Sequence, residues 1–299
     1  MTGNLQLGCR RRGMRSSDRM MSPTAWRTSG RYVGTILLST VFLAGFAAMC
    51  FMLAMAGCGS TDKFGHAASK YVALLGISML VLAVTGIAGL ITRTRSTSRI
   101  RLDSVDGTSV TAIPGAIPTF ALYQLMCFCF AVLLLGASLE IAVSGQPILW
   151  IAALALFCMG LFFASTPGLA LAGRIRRASL VLTPQEIVYE GWSSRMSLPW
   201  SDVTGVLAAS MDNTPLICVI GWEGAVRNHP RTPSIRFVSN SYRFWKLEVQ
   251  APDGAVVLEC PRLAADAHRL FRFLTYYAHT PEARMELGTP AALNRWATV

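Results

Sequence analysis

Through the first 173 residues the hydrophobic positions do not alternate with polar ones. They gather in four nearly uninterrupted apolar runs, 33–56, 71–91, 119–143 and 149–172. A helix rises about 1.5 Å per residue, so runs of this length reach roughly 30–37 Å, enough to cross a hydrocarbon layer of about 30 Å. Four transmembrane helices are therefore predicted. After residue 178 the pattern changes. Leu180 and Leu182, Ile187 and Tyr189, then Met196, Leu198 and Trp200 alternate with polar or small neighbours, and Val203 and Val206 follow. Further stretches at 216–222, 234–239, 244–251 and 255–260 are short and rich in β-branched or aromatic residues, the mark of strands. Over 263–278 the period lengthens, with Leu263, Ala267, Leu270, Leu274 and Tyr277 at helical spacing. The pattern predicts an all-α membrane half of four helices, then a β-rich half of seven or eight strands closed by one amphipathic helix.

The connecting segments complete the division. Residues 1–31 are polar and basic, without apolar periodicity, and read as a disordered tail. Residues 32–173 form the membrane region, with 57–70, 92–118 and 144–147 as loops, and 280–299 read as a C-terminal tail with a short helical turn at "PEARMEL". Composition agrees: 53% of the 299 residues are hydrophobic and 14% are charged, against about 25% charged in a typical soluble domain.

The net charge of +11 is unevenly placed. Residues 1–31 hold seven arginines and one acid, the 92–118 loop holds Arg93, Arg95, Arg99 and Arg101, and the fourth run ends in Arg174, Arg176 and Arg177. From Ala178 onward eleven basic residues balance eleven acidic ones. Basic residues at membrane edges mark the cytoplasmic side, so both termini are expected in the cytoplasm of a multi-pass protein of the cell inner membrane. A nucleic-acid-binding module would carry the excess itself, and nucleic acid is not an expected partner.

Candidate chemistry is sparse. The four histidines and eight cysteines show no metal-ligand spacing, and there is no HExxH, GxSxG or Gly-rich phosphate loop. No enzyme activity, cofactor or metal is expected. The end of the first run, "LAMAGCGS", is similar to a lipobox with Cys58 as the lipidated residue. Met55 stands where a branched aliphatic is usual, and the run is longer than a signal-peptide core. Glu140 and Gln124 are the polar residues inside the third run, neither with an evident charged partner in another run. Gly160, Ala164, Gly168 and Ala172 recur every fourth residue and align as a ridge where a second helix can approach closely. Ala and Gly are common throughout this chain, so the same spacing also arises without a contact.

The stretch "LVLTPQEIVYEGWSSRMSLPWSDVTGV" resembles the opening strands of bacterial PH-like domains (the bacterial pleckstrin-homology family), over about 110 residues. The four-helix half resembles only the membrane regions of high-GC bacterial proteins in general. The resemblance implies a PH-like domain at 174–279, a bent β-barrel or sandwich with its helix closing one end. The first-hairpin turn here is Pro184, Gln185 and Glu186, not basic, so inositide recognition does not carry over. Basic residues lie instead at Arg227, Arg231, Arg236, Arg243 and Lys246, interleaved with aromatics including Trp245 and with no acid between residues 224 and 247. One reading is a patch lying on anionic headgroups or an acidic partner. The other is solvated edges and loops with Glu223 and Glu248 closing over them. The expectation is a non-enzymatic membrane protein presenting an interaction domain to membrane lipids, a protein partner or a second copy in a homo-oligomer. The alternative is a transport or channel subunit that the domain regulates.

Overall fold

The computed structural model describes Trp26 and residues 30–59, 63–94, 100–105, 107–144, 147–211, 214–237, 240–243, 245, 247–249 and 251–299. Four helices in it are long and apolar enough to cross a membrane: α1 (Gly30–Cys58), α2 (Lys63–Thr94), α3 (Ile117–Val143) and α4 (Trp150–Leu171). They pack in sequence, α1 on α2, α2 on α3 and α3 on α4. Their outer surfaces are apolar, with Leu38, Phe42 and Ile151 each more than two-thirds exposed, as a lipid-facing surface requires. Two hydroxyls inside the helices donate to backbone carbonyls, Ser78 to Leu74 of its own helix (2.9 Å) and Ser138 to Ala153 on α4 (2.8 Å). Pro167 lies inside α4 without ending it.

The 92–118 segment is not simply a loop. It carries a hairpin, β1 (Arg101–Val105) and β2 (Thr108–Pro114), which extends the sheet of the later half. Strand β2 pairs with β3 (Ser179–Leu182) in the register Thr111↔Leu182 and Ile113↔Leu180. β4 (Glu186–Glu190), β5 (Ser194–Pro199) and β8 (Arg227–Pro230) complete an antiparallel sheet in the order β1-β2-β3-β4-β5-β8. A second sheet has the order β11-β7-β6, from β6 (Val203–Met211), β7 (Thr214–Gly221) and β11 (Ala255–Glu259). The hairpin of β9 (Ser234–Phe237) and β10 (Asn240–Arg243) stands separately, and none of these sheets closes on itself.

The residues of the "LTPQE…LPWSD" stretch build a turn and its support. The Thr183 hydroxyl accepts from the Glu186 amide (2.9 Å), holding the β3–β4 turn. Trp200, 2% exposed, lies beneath it and donates its indole N–H to the Thr183 carbonyl (2.8 Å). The core gathers the inward sides of both sheets, including Leu180, Leu182, Ile187, Leu198, Ile217, Val219, Val256 and Leu258. Helix α5 (Ala267–His279) packs over it through Leu270, Phe273, Leu274 and Tyr277, its first turn capped by Asp266, which accepts from the Arg269 amide.

Residues 280–299 are packed structure. After a 3-10 turn, Pro281–Glu286, helix α6 (Pro290–Thr298) buries Ala292 and Trp296, the latter edge-on to Phe273 at 5.0 Å. Gly288 joins the two at φ +85°, and a Cβ there would overlap the Ser109 carbonyl, so this residue lets the C-terminal segment lie against β2. Its amide donates to the Thr111 hydroxyl (2.8 Å). The expected strand at 244–251 is absent among its described residues, and β8 occupies a segment without an alternating pattern.

Candidate functional site

Where the helices meet the sheets, the β4–β5 turn carries Trp192, 7% exposed. Phe120 and Tyr123 reach it from the first turns of α3, with ring centroids at 5.4 and 5.3 Å. The Arg262 guanidinium also lies over this ring, 4.5 Å from its centroid. Arg262 is held in turn by Glu259 (2.9 Å) and by the Leu247 carbonyl (2.5 Å). Glu259 also accepts from the Val249 amide (3.1 Å), and burial pushes its carboxyl up from the ordinary value while Arg262 opposes the shift. Glu248 accepts from both the amide and the hydroxyl of Ser193. The 247–249 segment thereby ties the β4–β5 turn to the end of β11.

Two further contacts join the halves. Trp26, just before α1, donates its indole N–H to the Ala209 carbonyl of β6 (2.7 Å) and sits edge-on to His268 and Phe271 of α5. Trp245 donates to the Ser165 hydroxyl of α4 (2.8 Å) and its ring lies over Phe162 at 4.4 Å. Leu169 and Ala170 at the end of α4 pack against the same core as Phe120 and Tyr123.

The basic stretch is divided among several settings. Arg231 is ion-paired with Glu190 (2.8 Å), with side chains 19% and 27% exposed, so it belongs to the fold. Arg227 is exposed on β8. Arg236 and Arg243 stand on the paired β9–β10 hairpin, but their side chains and all of Lys246 lie outside the described residues. Trp245 is on α4, as above. The small-residue ridge is also divided: a Cβ on Gly160 would sit 2.7 Å from Leu135 of α3, Ala164 is half-buried, Gly168 has nothing within 4 Å and Ala172 lies past the helix end. Glu140 does have a cationic partner, Lys70, because α2 begins at Lys63 and carries Lys70 within reach. Cys58 is exposed with its sulfur 3.4 Å from the Ser69 hydroxyl.

Trp192 and Arg262 escaped notice in the sequence because each looks like an ordinary turn or helix-flanking residue. Their partners come from α3 and from residues 247–259. The "EGWSS" turn carried the one available signal, a large aromatic where a small polar residue is usual. Among the described residues no three of His, Cys, Asp and Glu stand together as a metal site. The chain matches no protein-family model, no curated protein and no solved structure.

Proposed function

We propose that this is a non-enzymatic integral membrane protein whose four helices hold a PH-like interaction domain at the cytoplasmic face of the inner membrane. The observation that carries the proposal is the shared core: Phe120, Tyr123, Leu169 and Ala170 pack against the same cluster as the sheet residues. A domain packed this way cannot swing freely on a tether, so its working surface stays at membrane level. The positive-inside distribution supports the cytoplasmic side. Two antiparallel sheets around one core with α5 across it, and the turn built by Thr183 and Trp200, support the PH-like reading.

Accessibility to a membrane-impermeant thiol reagent tests it. Ser144, exposed beyond the end of α3, and Ser201, exposed on the domain, are on opposite sides in this account. With the exposed Cys58 replaced (C58S) in both variants, S144C should be labelled in intact cells, and S201C only after permeabilisation. Labelling of S201C in intact cells would sink the orientation.

A second reading, a transport or channel subunit that the domain regulates, draws on one observation. Both polar atoms of the Gln124 amide are buried on α3 without a partner among the described residues. Loss of cellular function in Q124L with normal insertion would favour it.

A further inference from the structure

We propose that the turn leaving α4, residues 171–177, is a binding site for the phosphate of an anionic phospholipid, with Arg174 and Arg176 meeting the headgroup and Leu171 the acyl chains. This rests on the membrane-anchored reading above and adds the ligand class.

The level of the turn is the first support. The 22 residues of α4 span about 33 Å, against about 30 Å of hydrocarbon, so its last residue, Leu171, stands at the domain-side boundary. Leu171 is 91% exposed, an apolar side chain that the protein leaves uncovered. Arg174, Arg176 and Arg177 follow it directly, at headgroup depth.

The turn is also held in place. Gly173 adopts a left-handed conformation (φ +69°), and the amides of Arg174 and Ile175 both donate to the Leu169 carbonyl (2.9 and 3.1 Å), which closes the end of α4. Ile175, 1% exposed, enters the core of the domain, and Arg174 and Arg176 on either side of it are exposed. The Arg176 amide donates to the Trp192 carbonyl (3.1 Å). A Cβ on Gly115 would lie 3.0 Å from Cγ of Arg177, so the Arg177 stem packs where β2 passes into α3. A ligand therefore meets arginines whose backbone is already ordered, which lowers the cost of binding.

Charge is the third support. The Arg176 Nε donates to the Gly173 carbonyl (2.8 Å), which sets the guanidinium over the helix end with both Nη nitrogens unpartnered among the described residues. None of the ion pairs among the described residues involves Arg174, Arg176 or Arg177. Glu190, which the strand register places opposite Ser179, is occupied by Arg231 (2.8 Å) and by the Ser179 hydroxyl (3.3 Å). Guanidinium groups present a fork of N–H donors that matches phosphate oxygens. Uncommitted ones beside an exposed leucine at the hydrocarbon boundary fit a phosphate that carries acyl chains. A soluble phosphate would gain nothing from Leu171.

The test uses the full chain in lipid nanodiscs of phosphatidylcholine mixed with phosphatidylglycerol, with the lipid retained on the protein read by native mass spectrometry. The chain should retain phosphatidylglycerol over phosphatidylcholine, and inorganic phosphate should not displace it. R174Q with R176Q should reduce this preference by about fivefold per residue, and R174K with R176K should keep most of it. R227Q with R272Q, an equal loss of exposed charge elsewhere on the domain, should leave it unchanged. A phosphatidylglycerol with a photoreactive group beside its phosphate should crosslink the unaltered chain within 171–177, which reads the site without any substitution in it. No preference in the unaltered chain, or crosslinks confined to other segments, would overturn the site. Displacement by inorganic phosphate would overturn the lipid as its ligand, and an equal effect of R227Q with R272Q would overturn the site in favour of net charge alone. Failure of the anchored-domain reading shows separately, as S201C labelled in intact cells.

Discussion

Arg262 serves three partners at once: it neutralises Glu259, covers Trp192 and binds the Leu247 carbonyl. Removing one member of a buried pair leaves the other charge uncompensated, and Glu259 is only 7% exposed, so R262A should cost about 3 kcal/mol in thermal or denaturant unfolding. The loss should depend on pH. Burial raises the Glu259 pKa, so the folded state holds the proton more tightly than the unfolded one, and stability falls as pH rises from the ordinary carboxylate value through the folded value. Without Arg262 that window extends upward, so R262A should lose more at mildly alkaline than at mildly acidic pH. An equal loss at both would count against a charged Glu259. Glu286 has the opposite sign. Its hydrogen bond to Arg295 lowers its pKa, so its contribution is present above the ordinary value and is lost as pH falls through the folded one. E286Q should remove this part of the acid sensitivity, read from Trp296 fluorescence in an acid titration. An unchanged acid midpoint would mean that the pair does not hold α6.

The four spanning helices were legible as elements because an apolar run of twenty or more residues has few other uses. The β1–β2 hairpin was not. β1 is exposed at every position and shows no alternation, and the four arginines around it resemble a membrane-edge loop. The 280–299 segment was misread because Pro281, Gly288 and Pro290 interrupt it, and only Ala292 and Trp296, four apart, mark the buried side of α6. These elements matter for folding. A fragment of residues 178–299 lacks β2, which pairs with β3 and supplies the fully buried Ile113. It should be aggregated or molten by near-ultraviolet circular dichroism, and a well-folded, soluble fragment would contradict the role given to the hairpin. Within the helices, only part of the small-residue ridge makes a contact. G160L should destabilise the α3–α4 pair by about 1–3 kcal/mol through overpacking, whereas G168L should be near neutral. Equal effects would mean that Gly168 meets another helix, which a second copy of the chain would supply.

At the scale of the whole molecule, two halves with different solvents share one hydrophobic core. The sequence made the two textures plain but not their junction, because its parts come from residues 26, 120–123, 165–170, 192, 245, 247–249 and 259–262, which no local pattern connects. For the same reason the basic stretch looked uniform, although Arg231 is bound into the fold and Trp245 onto α4. The shared core makes the orientation of the domain relative to the bilayer a property of the fold. The most direct measurement is photocrosslinking from a benzophenone amino acid placed at Phe120 in the full chain in its membrane, with the products mapped by mass spectrometry. The account predicts crosslinks to the Gly191–Ser193 turn around Trp192. Crosslinks confined to lipid or to the other helices, with none to the turn, would contradict it.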